Sequence, residues 1–106
     1  MQRTPRRKIQ RALKTKPYDV AEFLTDPETI AAYLTEALES DDPRYIANAL
    51  GAIARARGGM AQLARETGLT REALYRALSE TGNPELGTAL KVMRALGIRL
   101  KVSLAA

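Results

Sequence analysis

Arg71, Glu72, Tyr75 and Arg76 are the residues of this chain best suited to act on another molecule. Read at helical spacing over 70–80, they share one face with Ser79, while Leu74, Ala77 and Leu78 share the opposite one. A guanidinium can donate two hydrogen bonds to one guanine edge, which is worth about 1–3 kcal/mol of discrimination against the wrong base. Two such groups stand here within six residues. Glu72 can accept from a cytosine amino group or orient Arg76, its i+4 neighbour. Tyr75 can touch a thymine methyl or donate to phosphate. The same residues on an isolated surface helix would only be solvated, so the elements around them decide between the two readings.

Those elements are compact. Residues 60–67 form a short helical pattern with Leu63 and Ala64 inside. Gly68 ends it, because glycine takes a left-handed backbone at no steric cost. Leu69 follows as an apolar plug, and Thr70 is a good N-cap for the next helix. Two short helices joined by a tight glycine turn, the second with a polar outer face, make the layout of a helix-turn-helix. An ordinary helical hairpin is the alternative. Thr67 stands where a larger apolar residue is usual. Gln62, near the start of the first helix, is a candidate phosphate contact, and Arg55 and Arg57 can add backbone contacts.

Composition excludes several chemistries. The 106 residues include no cysteine and no histidine, so disulfides, thiolate metal sites and catalysis by either residue are ruled out. No glycine-rich phosphate loop is present, and the carboxylates between 19 and 42 are scattered around helices. The expectation is a protein without enzymatic activity, cofactor or metal. Aromatics are 5% of the chain against 45% hydrophobic residues, which suits close-packed helices of Ala, Leu, Ile and Val. No apolar run reaches the roughly 18–20 residues of a membrane span, and the basic start is not followed by a signal-peptide core. A cytoplasmic protein without a membrane partner is expected.

The net charge of +5 conceals segregation. Residues 1–18 carry seven bases and no acid; residues 19–42 carry eight acids and no base. The remainder, 43–106, carries ten bases against four acids. A basic surface suits nucleic acid, and a separate acidic one suits a cationic partner.

Asp26-Pro27, Asp42-Pro43 and Asn83-Pro84 each place a capping side chain before a proline suited to the first helical position. With the glycines at 58–59, 82 and 97 as stops, helices are expected at about 27–39, 43–57, 60–67, 70–80 and 84–96, with a possible turn at 19–24. Three apolar stripes go with them: Ile30, Tyr33, Leu34 and Leu38; Ile46, Leu50, Ile53 and Ala54; Leu86, Leu90, Met93 and Leu96. Gly51 and Gly87 lie inside helices, where close contact with a neighbour would explain them. The period then changes. Ile98, Leu100, Val102 and Leu104 alternate with Arg99, Lys101 and Ser103, which reads as a half-buried strand. The fold class expected is all-α: a five-helix helix-turn-helix domain with a short C-terminal β-strand. It divides into a basic arm, 1–16, an acidic helical segment, 17–42, and a DNA-binding domain, 43–106.

Residues 18–104 resemble the addiction-module antidote proteins, the HigA-type antitoxins with a helix-turn-helix of the Cro and phage-repressor type. The resemblance rests on YDVAEFLTDPETIAAYLTEAL and on DPRYIANALGAIARARGGMAQLARETGLTREALYRALSETGNPELGTALKVMRALGIRL. It implies neutralisation of a RelE/HigB-like ribonuclease toxin and repression of the module's own promoter through double-stranded DNA. By position it makes Thr70, Arg71, Glu72, Tyr75 and Arg76 base-facing, and it sets the loop containing Thr81 and Asn83 near phosphates. Nothing carries over to the arm. A stand-alone repressor, or a module that grips protein with the same motif, is the alternative.

A toxin that binds RNA should be basic, so the acidic segment is the expected toxin-binding site, with Glu28 and Glu36 as charges and Tyr18, Phe23, Leu24 and Tyr33 as apolar anchors. Phe23 and Tyr33 could equally be core. A homodimer is also expected, joined by antiparallel pairing of Ile98, Leu100, Val102 and Leu104 with the same strand of a second copy. The arm and an edge of the toxin's sheet are the rival partners of that strand.

Overall fold

The computed structural model describes residues 20–79 and 81–105; the basic arm, Tyr18 and Glu80 lie outside them. A 3₁₀ turn, Val20–Phe23, leads into five helices: α1 (Pro27–Glu39), α2 (Pro43–Ala56), α3 (Gly59–Thr67), α4 (Arg71–Ala77) and α5 (Leu86–Ala95). The Asp-Pro signals place the first two. Asp42 accepts from the Arg44 N–H at 3.0 Å and so caps α2. Asp26 has the same extended backbone before α1, but its carboxylate makes no cap bond. Asn83-Pro84 does not start a helix. The N-cap of α5 is Glu85, whose carbonyl receives the Ala89 N–H at 2.9 Å, and Asn83 and Pro84 belong to the connection from α4.

The core is organised around α2. Ala47, Ala49, Leu50, Ala52, Ile53 and Ala54 have no exposed surface. Against this helix pack α1, α3 and the 3₁₀ turn; α4 and α5 pack on α3. The many small side chains let backbones approach. A Cβ added at Gly51 would stand 2.8 Å from the Leu78 carbonyl oxygen, so α2 passes directly beneath the end of α4. Gly87 has no such neighbour within 4 Å. Tyr45 of α2 is half-buried beside α1; burial first, and the Glu36 carboxylate second, raise its phenol above the ordinary tyrosine range.

Two stripes differ from expectation. In α1, Ile30, Tyr33, Leu34 and Ala37 are buried, whereas Leu38 sits at the surface. In α5 the inner face is Ala89, Val92, Met93 and Leu96, an i, i+3, i+4, i+7 set. Leu86 and Leu90 point outward, 73% and 41% exposed. Both sets are apolar at helical spacing, and the smaller Ala89 and Val92 fit the approach to α3.

No strand forms among the described residues, which corrects the expected C-terminal β-strand. Gly97 turns the chain at φ 79, and the Ile98 N–H donates to the Met93 carbonyl at 2.8 Å. Beyond that, the tail 99–105 has no hydrogen bond within the described residues. A strand is defined by ladder bonds to a neighbour, and the described residues supply none. Only Ile98 packs on the core; Leu100 is 47%, Val102 91% and Leu104 93% exposed. No described helix is long and apolar enough to cross a membrane.

Candidate nucleic-acid interface

The unit that carries the candidate face satisfies its own polar groups. Gly68 adopts φ 77 and ψ 8, and its N–H returns to the Ala64 carbonyl at 2.9 Å. Thr67 explains its departure from the usual apolar residue. Its hydroxyl donates to the Leu63 carbonyl at 2.8 Å and accepts the Leu69 N–H at 3.2 Å, holding the turn from both sides. Leu69 packs against the core. Thr70 Oγ1 accepts the Ala73 N–H at 3.0 Å, the expected N-cap of α4.

Below α4, Leu74 and Leu78 are buried. Above it, Arg71, Glu72, Tyr75 and Arg76 are exposed, Tyr75 by 54%. The four are thus presented together on one surface of a helix fixed from beneath. Thr70 is also exposed, with its hydroxyl committed to the cap. Ser79 is half-buried and closes the helix end: its hydroxyl donates to the Arg76 carbonyl at 3.1 Å and pairs with the Thr81 hydroxyl at 3.3 Å.

The following loop folds back on α4. The Gly82 N–H donates to the Ser79 carbonyl at 2.9 Å. Gly82 is buried, and a Cβ there would collide with the Ala77 and Arg76 carbonyls. This return brings Thr81 and Asn83 beside Arg76. Together with Thr88 of α5 they line an open hollow of about 450 Å³. Thr88 carries no signal in the sequence beyond its i+4 position after Pro84.

Gln62 is placed elsewhere. It donates to the Glu66 carboxylate at 3.2 Å and lines a separate cleft formed by the start of α1, the end of α2 and the end of α5. The structure therefore groups Arg71, Glu72, Tyr75, Arg76, Thr81 and Asn83 without Gln62. Among the described residues, no cluster of acidic side chains could hold a metal ion.

The acidic side of the molecule is carried by α1 and the turn after it. Glu28, Glu39 and Asp41 are exposed there, with no base between them in the sequence. Leu24 and Tyr33 are core residues, 3% and 0% exposed, and Phe23 and Glu36 are half-buried. Only Glu28 of the expected toxin-binding set is fully at the surface among the described residues.

A family model described as "Probable addiction module antidote protein" matches residues 14–104. The chain belongs to this antidote family. A Haemophilus influenzae relative, described as an uncharacterized protein, is 53% identical over 87 residues, covering 82% of this chain and 89% of the relative. No solved structure matches. An antidote implies a toxin that it counters.

Proposed function

We propose that this antidote neutralises a RelE/HigB-like ribonuclease toxin and represses its own promoter, as a cytoplasmic HigA-type antitoxin with no activity as an enzyme. In this reading α3, the turn and α4 are a helix-turn-helix of the Cro and phage-repressor type, and α4 enters the major groove. The observation that carries it is the joint exposure of Arg71, Glu72, Tyr75 and Arg76 on a short helix that is capped, buried beneath and held at a three-residue turn. A helix with its side chains is about 10–12 Å across, which suits a groove about 12 Å wide. Arg71 and Arg76 read guanine, Glu72 accepts from cytosine or orients Arg76, and Tyr75 meets a thymine methyl or phosphate. Thr81 and Asn83 approach the phosphates beside Arg76. Two copies would present two such helices to half-sites about 34–36 Å apart.

The toxin is met by the acidic surface of α1 and its following turn. Charge complementarity supports this surface, because an RNA-binding toxin carries bases to be covered. The buried positions of Leu24 and Tyr33 make them supports of that surface rather than anchors. A mobility shift on the DNA immediately upstream of the gene, with and without the neighbouring gene's product, tests both parts. A specific shift that the product alters is expected. A specific shift indifferent to every neighbouring product would favour a stand-alone repressor. Absence of sequence-specific binding, with tight capture of the toxin, would favour a helix-turn-helix that grips protein.

A further inference from the structure

We propose that Gly51 of α2 is a positioning residue for the α4 face. It sets the depth and tilt at which the C-terminal end of α4 is seated, and through them the reach of Arg76. The proposal rests on the reading of α4 as a base-reading helix and adds a specificity determinant that itself touches no DNA.

Glycine is a poor helix former in the interior of a helix, and Gly51 is a buried glycine inside α2. Its backbone gives no reason for the choice, because it has no positive φ. The space above it does. A Cβ there would stand 2.8 Å from the Leu78 carbonyl oxygen, 3.6 Å from the Leu78 Cβ and 3.7 Å from an Arg55 guanidinium nitrogen. The guanidinium is the far end of a flexible side chain and can swing aside. The Leu78 oxygen is backbone and moves only with the end of α4, of which Leu78 is the C-cap. Gly87 in α5 meets nothing within 4 Å and lacks this role.

The end of α4 is the part that would yield to a side chain at 51. Around Gly51, α2 is the centre of the core, with Leu50, Ala52, Ile53 and Ala54 wholly buried. By contrast, α4 has seven residues, of which only Leu74 is buried. Its start is held independently of Gly51. Thr70 caps the Ala73 N–H at 3.0 Å, and Leu69 packs on the core. Its end meets two glycines: Gly51 lies against the Leu78 carbonyl, and Gly82 against the Arg76 and Ala77 carbonyls. Pushing Leu78 away from α2 therefore tilts α4 about its start. Arg71 and Arg76 are five helical steps apart, about 7.5 Å, so Arg76 is displaced more than Arg71. A bidentate guanidinium contact needs both of its bonds aligned. The tilt thus removes what Arg76 contributes and spares Arg71.

The test is fluorescence anisotropy of the full chain carrying Gly51→Ala, on the upstream DNA and on a random duplex. It is run at a temperature where the circular dichroism matches that of the native chain. The preference for the upstream DNA should fall roughly 5- to 150-fold, as far as Arg76→Ala lowers it. Gly51→Ala added to Arg76→Ala should cost nothing further, whereas Gly51→Ala with Arg71→Ala should give the product of the two losses. A role confined to stability would lower the melting temperature and leave the preference intact. Gly87→Ala is the control and should keep the native preference, because its methyl group enters open space. An unchanged preference in Gly51→Ala, or a loss that multiplies with that of Arg76→Ala, would overturn the proposal. Amide NMR shifts of the DNA-free Gly51→Ala chain give a readout independent of what α4 binds. They should move at Arg76 and Gly82 and stay near native at Thr70 and Arg71; equal movement at both ends would overturn the tilt. Shifts that move as expected, while Arg76→Ala leaves the preference unchanged, would place the failure in the reading of α4 and overturn the specificity role with it. If Gly51→Ala does not fold alone, the same measurements are made with Gly87→Ala added, which favours the helix. Failure to fold there too would make Gly51 a requirement of the fold and would overturn the proposal.

Discussion

The α3–turn–α4 unit and the tail after Gly97 are both short, and both combine apolar and basic residues, yet they end in opposite states. In the first, Thr67, Gly68 and Thr70 satisfy the backbone locally, and Leu69, Leu74 and Leu78 go inward. Its charges are what remains outside. In the second, the backbone from Arg99 on has no partner among the described residues, and its apolar residues are what remains outside. A polar face on a self-satisfied helix is free to read a partner without folding upon it. An apolar, unsatisfied segment is incomplete until a partner completes it. The molecule therefore holds two kinds of exposed surface, one polar on a helix fixed from beneath and one apolar on a tail outside the single-copy core.

Substitution should separate them. Leu74 is fully buried beneath the α4 face, so Leu74→Ala should cost about 2–5 kcal/mol through lost burial and the cavity left behind. Urea unfolding measures this; a cost below 1 kcal/mol would mean that α4 is not fixed from beneath. Thr70→Ala removes the cap on the Ala73 N–H and should cost about 0.5–2 kcal/mol, with Thr70→Ser restoring most of it. Leu104→Ala should leave the stability of a single copy within about 0.5 kcal/mol, measured at a concentration low enough to keep copies apart. A larger loss there would show that the tail belongs to the single-copy core, and the contrast between the regions would fail.

The same contrast explains what the sequence reveals. Helix starts at Pro27, Pro43 and Arg71 are legible because their signals are local: an Asp before a proline, or a threonine before a polar-apolar pattern. The inner and outer faces of α4 are legible for the same reason. Asn83-Pro84 misleads because the local signal competes with the return of Gly82 onto α4, a tertiary contact. The inward face of α5 is ambiguous in sequence, since Leu86-Leu90 and Ala89-Val92 are both apolar stripes and only packing on α3 chooses between them. Gln62 is polar and near a helix start, but its side of α3 depends on where α1 starts and where α2 and α5 end. The strand pattern at 98–104 is a period without a neighbour, and period alone does not supply the ladder. Leu24 and Tyr33 are the converse: acidic surroundings suggest an interface, while their own burial places them in the core.

The central claim is that the α4 face reads base sequence. Fluorescence anisotropy with the upstream DNA and with a random duplex, for the native chain and for Arg71→Ala and Arg76→Ala, tests it most directly. Each replacement is predicted to weaken binding to the upstream DNA by about 1–3 kcal/mol, roughly 5- to 150-fold, and to change binding to the random duplex much less. Equal losses on both duplexes would make these arginines phosphate contacts and would contradict the claim.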